Sequence, residues 1–346
     1  MTARQIIVRV AVGLAVACCV VGGVRFYQAW YDRKVPNFSG ALELYVYPPM
    51  EAEKVKDSIL ASGKVLNAKS LERVFRDVDE IRVGHYRMDA SCSSMYVARM
   101  LGKGWQAPVM LTLSGAIRSP KTLARKVGAQ MLVDSAEVAD FLYAGDSTRA
   151  YTRVIPDSYE MLWTSSVEEI FNRLDKEYEA WWTPERLEAA RKQGLTREEV
   201  SVLASIVDGE TRYVPEQPTV AGVYLNRLKM GMKLQADPTI AYIYGYNLRR
   251  ILKVHLEAES PYNTYKYHGL PPAPISCPPK SCLEAVLHPE SHNYIFFCAD
   301  PSFNGSHRFA ATYPEHLRNA RAFQTALTER QRASAVANAK ADRGGK

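Results

Sequence analysis

The chain has 346 residues, of which 47% are hydrophobic and 23% are charged. This composition is that of a folded protein and excludes an intrinsically disordered chain, while the length suggests two domains with sizeable cores. The formal net charge of +7 suits work beside anionic surfaces such as lipid headgroups, wall polymers or nucleic acid. Because the Lys and Arg residues are scattered and form no nucleic-acid-binding motif, we expect no nucleic-acid partner.

The N-terminal segment is apolar and long enough to span a membrane. Residues 6–24 carry one charge, Arg9, which can reach the interface. Aromatic residues follow at once, as at a membrane boundary: Phe26, Tyr27, Trp30 and Tyr31. We therefore predict a membrane anchor in residues 1–30, with a short cytoplasmic end and the large domain outside the cytoplasm. A cleaved signal peptide and a lipoprotein signal ending at Cys18 are the alternatives, and the flanking charges do not settle the orientation.

Residues 31–115 predict a small mixed α/β module. Leu42, Leu44 and Val46 alternate along one face of a predicted strand. The expected elements, in chain order, are a strand (41–47), a helix (51–62), a helix capped by Ser70, a strand (81–88), a helix (96–101) and a strand (109–113). This order indicates a compact module and does not by itself indicate a ligand.

From Ser119 to Gln193 the chain is predicted to be mostly helical. A capping box of Ser166 and Glu169 begins one of these helices, and Trp181 and Trp182 end it. We expect the two tryptophans to pack in a core, with sugar stacking as the alternative. At the other end of the chain, residues 331–346 are rich in Ala, Arg and Lys and predict a basic flexible tail.

A carboxylate lies on the buried face of a predicted helix in the second half of the chain. A capping box of Thr196 and Glu199 begins this helix. Its apolar face repeats at three- and four-residue steps and consists of Val200, Leu203, Ala204 and Val207. Glu210 continues that face at the helix end. Because burial disfavours the charged form, the pKa of this carboxyl should be raised, which suits general acid catalysis. An ordinary paired glutamate at a helix terminus is the alternative.

Proline-rich and polar-aromatic loops follow Glu210. A second helix is expected from Pro218, with Tyr224 on its apolar face and Gly231 at its end. Long, stiff loops of this kind are not needed for a core and usually line a site. A sugar-binding cleft uses flat aromatic faces together with amides and hydroxyls, and these loops and helix ends carry Asn226, Gln235, Tyr262, Asn263 and Tyr265.

Cysteine and histidine residues in one proline-rich loop leave alternatives open. Cys277 and Cys282 are the pair best placed for a disulfide in an exported domain, although free buried cysteines are common. With His288 and His292 they offer four potential zinc ligands, but their spacing matches no standard zinc site. We therefore predict no metal and no cofactor.

Several motifs in order resemble the endolytic murein transglycosylase family (MltG, or YceG-like). The likeness runs over about residues 40–325 and is strongest over 200–310. The motifs are Ile155-Pro156-Asp157-Ser158-Tyr159, Leu203-Ala204-Ser205-Ile206-Val207-x-x-Glu210-Thr211, Val223-Tyr224-Leu225-Asn226-Arg227-Leu228, Leu234-Gln235-x-Asp237-Pro238-Thr239, Ser260-Pro261-Tyr262-Asn263-Thr264-Tyr265, Gly269-Leu270-Pro271-Pro272 and His288-Pro289. The resemblance implies an α+β protein with an N-terminal transmembrane helix, a LysM-like module over residues 31–115 and a mainly helical catalytic domain with long loops over residues 116–330.

The resemblance also implies a function. The protein would be a single-pass protein of the bacterial inner membrane that cleaves MurNAc–GlcNAc bonds within nascent peptidoglycan strands, beside peptidoglycan synthases. The family's catalytic glutamate falls on Glu210, which would protonate the glycosidic oxygen and then take the proton of the MurNAc 6-hydroxyl, giving a 1,6-anhydro end. Residues expected to bind substrate or support Glu210 are Thr211, Asn226, Arg227, Gln235, Asp237, Tyr262, Asn263 and Tyr265.

The chain departs from the family just before the catalytic glutamate. Asp208 and Gly209 stand where the family usually has an acidic residue and a lysine, which leaves the positioning of Glu210 in question. Two other functions compete: a hydrolytic wall glycosidase with Asp237 as base or nucleophile, and a non-catalytic protein that binds the wall through its LysM-like module.

Overall fold

The computed structural model describes residues 3–144 and 152–344. In these ranges the helices α1 to α13 are Ala3–Lys34, Ala52–Ala61, Ala68–Phe75, Ser94–Lys103, Pro120–Gly128, Ser135–Ala144, Val167–Trp181, Pro184–Lys192, Arg197–Glu210, Gln217–Lys229, Asp237–Ile243, Lys280–Leu287 and Tyr313–Gly344. The strands β1 to β6 are Leu42–Val46, Gly84–Met88, Pro108–Thr112, Ser158–Leu162, Phe296–Ala299 and His307–Ala310. They pair as three two-stranded sheets, β1 with β2, β3 with β4 and β5 with β6. Helices combined with small sheets confirm the predicted α+β class.

The chain divides into two compact units. The first runs to Leu111 and adds the segments Gln130–Val133 and Glu160–Ser166. The second comprises Thr112–Ala129, Asp134–Tyr159 and the chain from Val167 onward. The predicted boundaries at residues 30, 115 and 330 stay predictions.

The first unit is built on an antiparallel β1–β2 pair packed against α2, α3 and α4. Leu42 lies opposite Met88 and Val46 opposite Gly84, and the apolar face of β1 packs on a core that contains Val55, Ile59 and Leu71. The strand–helix–helix–strand order is therefore as predicted. The predicted cap is wrong, because the side chain of Asn67 accepts from the Ser70 amide at 3.2 Å and so caps α3.

Helix α1 is apolar and exposed along most of its length. Over Gln5–Lys34 its length and composition are sufficient to cross a membrane, and they fit both a membrane anchor and a signal sequence. Its C-terminal end is held by buried Asp32, which accepts from the Ser70 hydroxyl at 2.5 Å and from the Arg73 guanidinium at 2.7 and 3.1 Å. A buried charge is stable only when it is paired and hydrogen-bonded, so this network fixes the end of α1 on α3.

The core of the second unit surrounds α9. The predicted apolar stripe of α9 is fully buried at Val200, Leu203, Ala204 and Val207, where it packs with residues of α10 and α12. Trp181 and Trp182 belong to the same core, as packing residues. Residues 145–151, within the segment predicted to be mostly helical, lie outside the described residues.

The last helix, α13, extends to Gly344. It therefore runs through most of the segment predicted as a basic flexible tail, whose last two residues lie outside the described part of the chain. The flexibility of that segment stays a prediction.

Candidate active site

Helix α9 delivers Glu210 to the edge of the core of the second unit. Its capping box is present, with the Thr196 hydroxyl accepting from the Glu199 amide at 3.2 Å and the Glu199 carboxylate accepting from the Thr196 amide at 2.8 Å. Glu210 is the last helical residue, and Thr211 ends the helix in an extended conformation. The buried Thr211 hydroxyl accepts from the Tyr213 amide at 3.0 Å, so Thr211 shapes the turn after Glu210 and supports it through the backbone.

Burial raises the pKa of Glu210 from 4.5 to about 7. The residue keeps some accessible surface, but its carboxyl group is enclosed enough for loss of hydration to be the main cause of this shift. A hydrogen bond from Tyr224 lowers the pKa, the negative charge of Asp237 raises it, and the positive charge of Arg227 lowers it. At neutral pH the group therefore exchanges readily between acid and base, as a general acid–base catalyst requires.

The hydrogen bond between Tyr224 and Glu210 was not predicted from the sequence. Its hydroxyl donates to Glu210 Oε1 at 2.6 Å, while its ring is buried and meets the Phe297 ring edge-on at 5.9 Å. Burial and the neighbouring Glu210 raise the pKa of Tyr224 well above its usual value, so the hydroxyl stays a donor. The periodicity of α10 predicted Tyr224 only as a packing residue. A signal was available, because a buried tyrosine hydroxyl usually needs a polar partner.

Asn226 and Arg227 hold loops with their side chains. The Asn226 amide donates to the carbonyl oxygens of His292 and Tyr294 at 2.9 and 3.0 Å. Buried Arg227 donates to the carbonyl oxygens of Ile295 and Leu234, the former at 2.7 Å. Burial lowers the pKa of Arg227. Both residues thus fit a supporting role, and the Arg227 charge also acts on Glu210.

Gln235 and Asp237 lie on an exposed turn that leads into α11. Gln235 has a φ of 49°, a left-handed conformation that is uncommon outside glycine. Its amide donates to the Thr264 carbonyl at 3.1 Å, and the next amide, that of Ala236, donates to the Thr264 hydroxyl at 3.0 Å. Strained residues held in this way cluster at functional sites. The turn leaves the side chains of Gln235 and Asp237 exposed.

The loop of Tyr262, Asn263 and Tyr265 contributes one residue to the Glu210 neighbourhood. The Tyr265 hydroxyl donates to Asp237 Oδ1 at 2.5 Å, and burial, followed by the bond to Asp237, raises the pKa of Tyr265. Asn263 is fully buried and donates to the Leu256 and Ala258 carbonyls at 2.9 and 2.8 Å, which leaves it a supporting role. Tyr262 is half-buried, with its ring 4.6 Å from that of Tyr242.

Gly209 explains part of the departure noted before Glu210. A Cβ atom at this position would lie 2.5 and 2.7 Å from the Cβ and Cγ atoms of Pro238. Real side chains do not approach so closely, and the proline ring cannot rotate away. The backbone of α9 therefore touches the first turn of α11 only because residue 209 is glycine, and a lysine would separate the two elements.

The cysteine alternatives are not supported. All six cysteines lie in the described ranges and none forms a disulfide, so of the two alternatives Cys277 and Cys282 are buried thiols and not a bonded pair. Burial raises the pKa of both thiols, as expected for inert packing residues. His292 uses both ring nitrogens, one facing the Thr219 carbonyl at 3.0 Å and the other accepting from the Tyr294 amide at 3.1 Å. Among residues 3–144 and 152–344, no group of three or more His, Cys, Asp or Glu side chains is placed to hold a metal ion.

A protonatable carboxyl group among hydrogen-bonded tyrosines defines a site for acid–base chemistry. The chain belongs to the YceG-like family, whose model matches residues 44–322. The chain is similar to the endolytic murein transglycosylase of Bacillus subtilis (strain 168), at 36% identity over 152 residues, 44% of this chain and 41% of the relative. It is also similar to the endolytic murein transglycosylase of Streptococcus pneumoniae serotype 2 (strain D39 / NCTC 7466), at 24% identity over 290 residues, 71% of this chain and 51% of the relative. The chain thus spans about half the length of the curated relatives that it matches, at 41% and 51%.

A solved structure shares the fold. The crystal structure of a yceG-like protein from Listeria monocytogenes superposes with a TM-score of 0.51 at 24% identity, over 80% of this chain and 98% of that chain. At this identity the likeness shows the fold alone.

Replacing Glu210 by Gln should stabilise the protein at alkaline pH. The unfolded chain releases this proton near pH 4.5 and the folded chain near pH 7, so the wild type loses stability as the pH rises through this window. Gln cannot ionise, and the gain should reach about 1–3 kcal/mol at pH 8 and be close to zero at pH 4.5. Urea unfolding of the wild type and the variant at pH 4.5 and pH 8 measures this gain in stability. Glu160→Gln is the control, because Glu160 is exposed. An equal effect at both pH values would contradict the raised pKa.

Gly209→Ala should destabilise the protein, although Ala is the better helix former by about 1 kcal/mol. The new methyl group would push Pro238 and the start of α11 away from α9, with an expected loss of about 1–3 kcal/mol. Gly102→Ala is the matched control, since a Cβ there would lie 3.6 Å from the Glu80 carbonyl oxygen, an ordinary contact. Chemical unfolding of the two variants checks the expectation, and equal stability of both would show that Gly209 is not required.

Proposed function

We propose that this protein is a peptidoglycan lytic transglycosylase that cleaves MurNAc–GlcNAc bonds inside glycan strands and leaves 1,6-anhydro-MurNAc ends. The observation that carries the proposal is the carboxyl group of Glu210, whose pKa near 7 and hydrogen bond from Tyr224 suit it to act first as acid and then as base. Membership of the YceG-like family supports the proposal, as do the two relatives named endolytic murein transglycosylase.

In the first step, protonated Glu210 gives its proton to the glycosidic oxygen as the bond to C1 of MurNAc breaks. The leaving GlcNAc departs with a new hydroxyl group, and positive charge develops at C1 and the ring oxygen. Because Tyr224 donates to Oε1, the proton of the neutral acid is carried by the other oxygen, Oε2. The tyrosine thus determines which oxygen delivers the proton.

In the second step, ionised Glu210 takes the proton of the MurNAc 6-hydroxyl, whose oxygen forms a bond to C1. Glu210 ends the cycle protonated, and no water is consumed. The attacking oxygen belongs to the same sugar, so its high effective concentration replaces the nucleophile that an ordinary glycosidase supplies.

Asp237 is a second carboxylate close to Glu210, and its own hydrogen-bond partner is Tyr265. Tyr265 donates to it, and its charge raises the pKa of Glu210. We propose that Asp237 favours the protonated acid before cleavage and the cationic sugar during it. Gln235 and Tyr262 are proposed to contact sugar, whereas Thr211, Asn226, Arg227 and Asn263 support the site.

The remaining organisation is proposed on the same basis. Residues 6–24 would anchor the protein in the bacterial inner membrane, residues 31–115 would form a LysM-like module, and residues 116–330 would form the catalytic domain outside the cytoplasm. The substrate would be nascent glycan strands, which places peptidoglycan synthases nearby as candidate partners.

Products of cleavage test the proposed reaction. The full-length protein should convert purified glycan strands into fragments ending in 1,6-anhydro-MurNAc, identified by mass spectrometry, and Glu210→Gln should reduce their formation by at least about 1000-fold. Reducing MurNAc ends alone would instead indicate hydrolysis, with Asp237 as base or nucleophile. Strand binding without any cleavage by the wild type would indicate a wall-binding protein.

Tyr224→Phe should change the pH dependence of this activity. Loss of the hydrogen bond removes a stabilising contact from ionised Glu210 and raises its pKa further, so the alkaline limb of the pH–rate profile should move up by about one unit. Tyr246→Phe is the matched control, because Tyr246 is half-buried and its hydroxyl donates to the Ile275 carbonyl at 2.7 Å and not to a carboxylate. A Tyr224→Phe profile of reduced height but unchanged position would leave Tyr224 a packing role only.

A further inference from the structure

A groove in the first unit lies between α1 and α3, away from the Glu210 site. Six residues of α1 line it at three- and four-residue steps, from Val20 to Tyr31, so they form one face of the helix. Asn67 and Arg73, at the cap and in the last turn of α3, line the other side. The groove has a volume of about 570 Å³. It is called the interhelical groove below, with an apolar end and a polar end lined by Val20, Gly23 and Val24 and by Tyr27, Tyr31 and Arg73, respectively.

The lining of the interhelical groove changes from apolar to polar along α1. The apolar end offers only hydrocarbon and helix backbone, whereas the polar end offers hydroxyl groups and a guanidinium. At about 1.5 Å per residue, the distance along the helix from Val20 to Tyr31 is about 16 Å. Tyrosines also gather at the level of the lipid headgroups in membrane proteins. A long apolar end that continues into a polar end therefore matches an amphiphile better than a soluble ligand.

The apolar end of the groove has open space beside exposed hydrocarbon. None of the most apolar window of α1 is buried, and Val20 and Val24 are 59% and 50% exposed. Exposed apolar surface of this extent marks contact with a membrane or a partner. A Cβ atom at Gly23 would meet nothing within 4 Å, so a hydrocarbon chain can lie directly against the helix backbone at this position.

The polar end of the groove keeps unused hydrogen-bond donors. Arg73 donates to buried Asp32 through Nε and Nη2 at 3.1 and 2.7 Å, and its Nη1 group makes no hydrogen bond among the described residues. The hydroxyl groups of Tyr27 and Tyr31 are likewise without a hydrogen bond in the described part of the chain. Arg73 lines the groove and Asp32 does not, so a ligand there meets the cation rather than the carboxylate. A guanidinium fork is a preferred donor to phosphate oxygens.

The charges around the polar end indicate an anionic ligand. Residues 32–34, at the end of α1, and residues 68–76, along α3, together carry five basic and two acidic side chains. Arg33, Lys34 and Lys69 are exposed and form no ion pair within the described ranges. Uncompensated cations directly beside an apolar helix attract anionic lipid headgroups. Free phosphate or a soluble polyanion would leave the apolar end of the groove unfilled.

We infer that the interhelical groove binds one anionic phospholipid, with an acyl chain along its apolar end and the phosphate at Arg73 and the hydroxyl groups of Tyr27 and Tyr31. This assignment rests on the proposed membrane anchor, because cleavage of a signal sequence would remove α1. The bound lipid joins the membrane span to α3. It therefore adds to the Asp32 network in holding the first unit at the membrane surface.

Native mass spectrometry of the full-length protein tests the site. The protein is purified from membranes, and its intact mass first establishes that α1 is retained. After delipidation in detergent it is titrated with dioleoylphosphatidylglycerol, and one lipid per chain should be bound. Dioleoylphosphatidylcholine has the same chains but no net charge, so half-saturation should need about tenfold more of it. Inorganic phosphate should not displace the lipid, because it has no chain to fill the apolar end.

Two neighbouring glycines of α1 provide matched variants. A Cβ atom at Gly22 or at Gly23 would meet nothing within 4 Å, but only Gly23 lines the groove, because successive helical residues point about 100° apart. Gly23→Leu should fill the apolar end and raise the half-saturating lipid concentration about tenfold, whereas Gly22→Leu should stay within about twofold of the wild type. Arg73→Lys keeps a cation beside Asp32 but loses the guanidinium fork, so it should reduce the preference for phosphatidylglycerol. Circular dichroism checks that each variant is folded.

Several results would overturn the site. These are unchanged lipid binding in Gly23→Leu, an equal loss in Gly22→Leu, equal binding of the two lipids, an unchanged lipid preference in Arg73→Lys, or an intact mass that lacks α1. The proposed reaction is tested separately, because release of anhydro-MurNAc ends depends on Glu210 and can persist in Gly23→Leu. Conversely, the groove can bind lipid in a protein that releases no anhydro ends.

Discussion

The second unit depends on one constraint, a carboxyl group placed where water is largely excluded. An ionised carboxylate loses hydration at the end of α9, and among the described residues the Tyr224 hydroxyl and the charge of Arg227 favour its charged form. Each of these residues needs support. Phe297 of β5 backs the Tyr224 ring, and Arg227 is held by two backbone carbonyls. The β5–β6 hairpin, far along the chain, thereby becomes part of the surroundings of the acid.

At Glu210 the loss of hydration outweighs the contacts that favour the charged form and raises the pKa, which distinguishes this residue from Asp157 and Asp300. Asp157 and Asp300 have lowered pKa values because hydrogen bonds and cations favour their charged forms. Asp208, two residues before Glu210, is half-buried and its pKa is raised, but its hydrogen-bond partner is Ser276 at 3.3 Å. Residues two apart on a helix point in nearly opposite directions, so the two acids have separate surroundings. The close approach of Gly209 to Pro238 brings the neighbouring Asp237 toward Glu210, whose pKa its charge raises.

The first unit uses the two faces of a two-stranded sheet in different ways. The inner face builds a core with α2, α3 and α4, and the buried Asp32 network ties the end of α1 to that core. The outer face carries the exposed rings of Tyr45 and Tyr47, with Tyr45 stacked on the buried His85 ring.

Local patterns determined the elements of this protein. The capping box of α9, the apolar stripe that ends at Glu210 and the strand–helix–helix–strand order of the first unit all follow from residue spacing, because helices and strands repeat with fixed periods. The direction of the pKa shift of Glu210 follows from the same stripe, because a carboxyl group on it must be buried and burial raises its pKa.

Only the tertiary structure decided which groups meet. Tyr224 and Glu210 are 14 positions apart and Tyr265 and Asp237 are 28 apart, and no periodicity within one helix connects such positions. Asn67 rather than Ser70 caps α3, because Ser70 is drawn to Asp32 by the packing of α1. Cys277 and Cys282 remain thiols among core residues, and Trp163 reaches Tyr45 and Tyr47 from more than a hundred residues away. Contacts of this kind depend on how elements pack, whereas spacing along the chain specifies only the elements themselves.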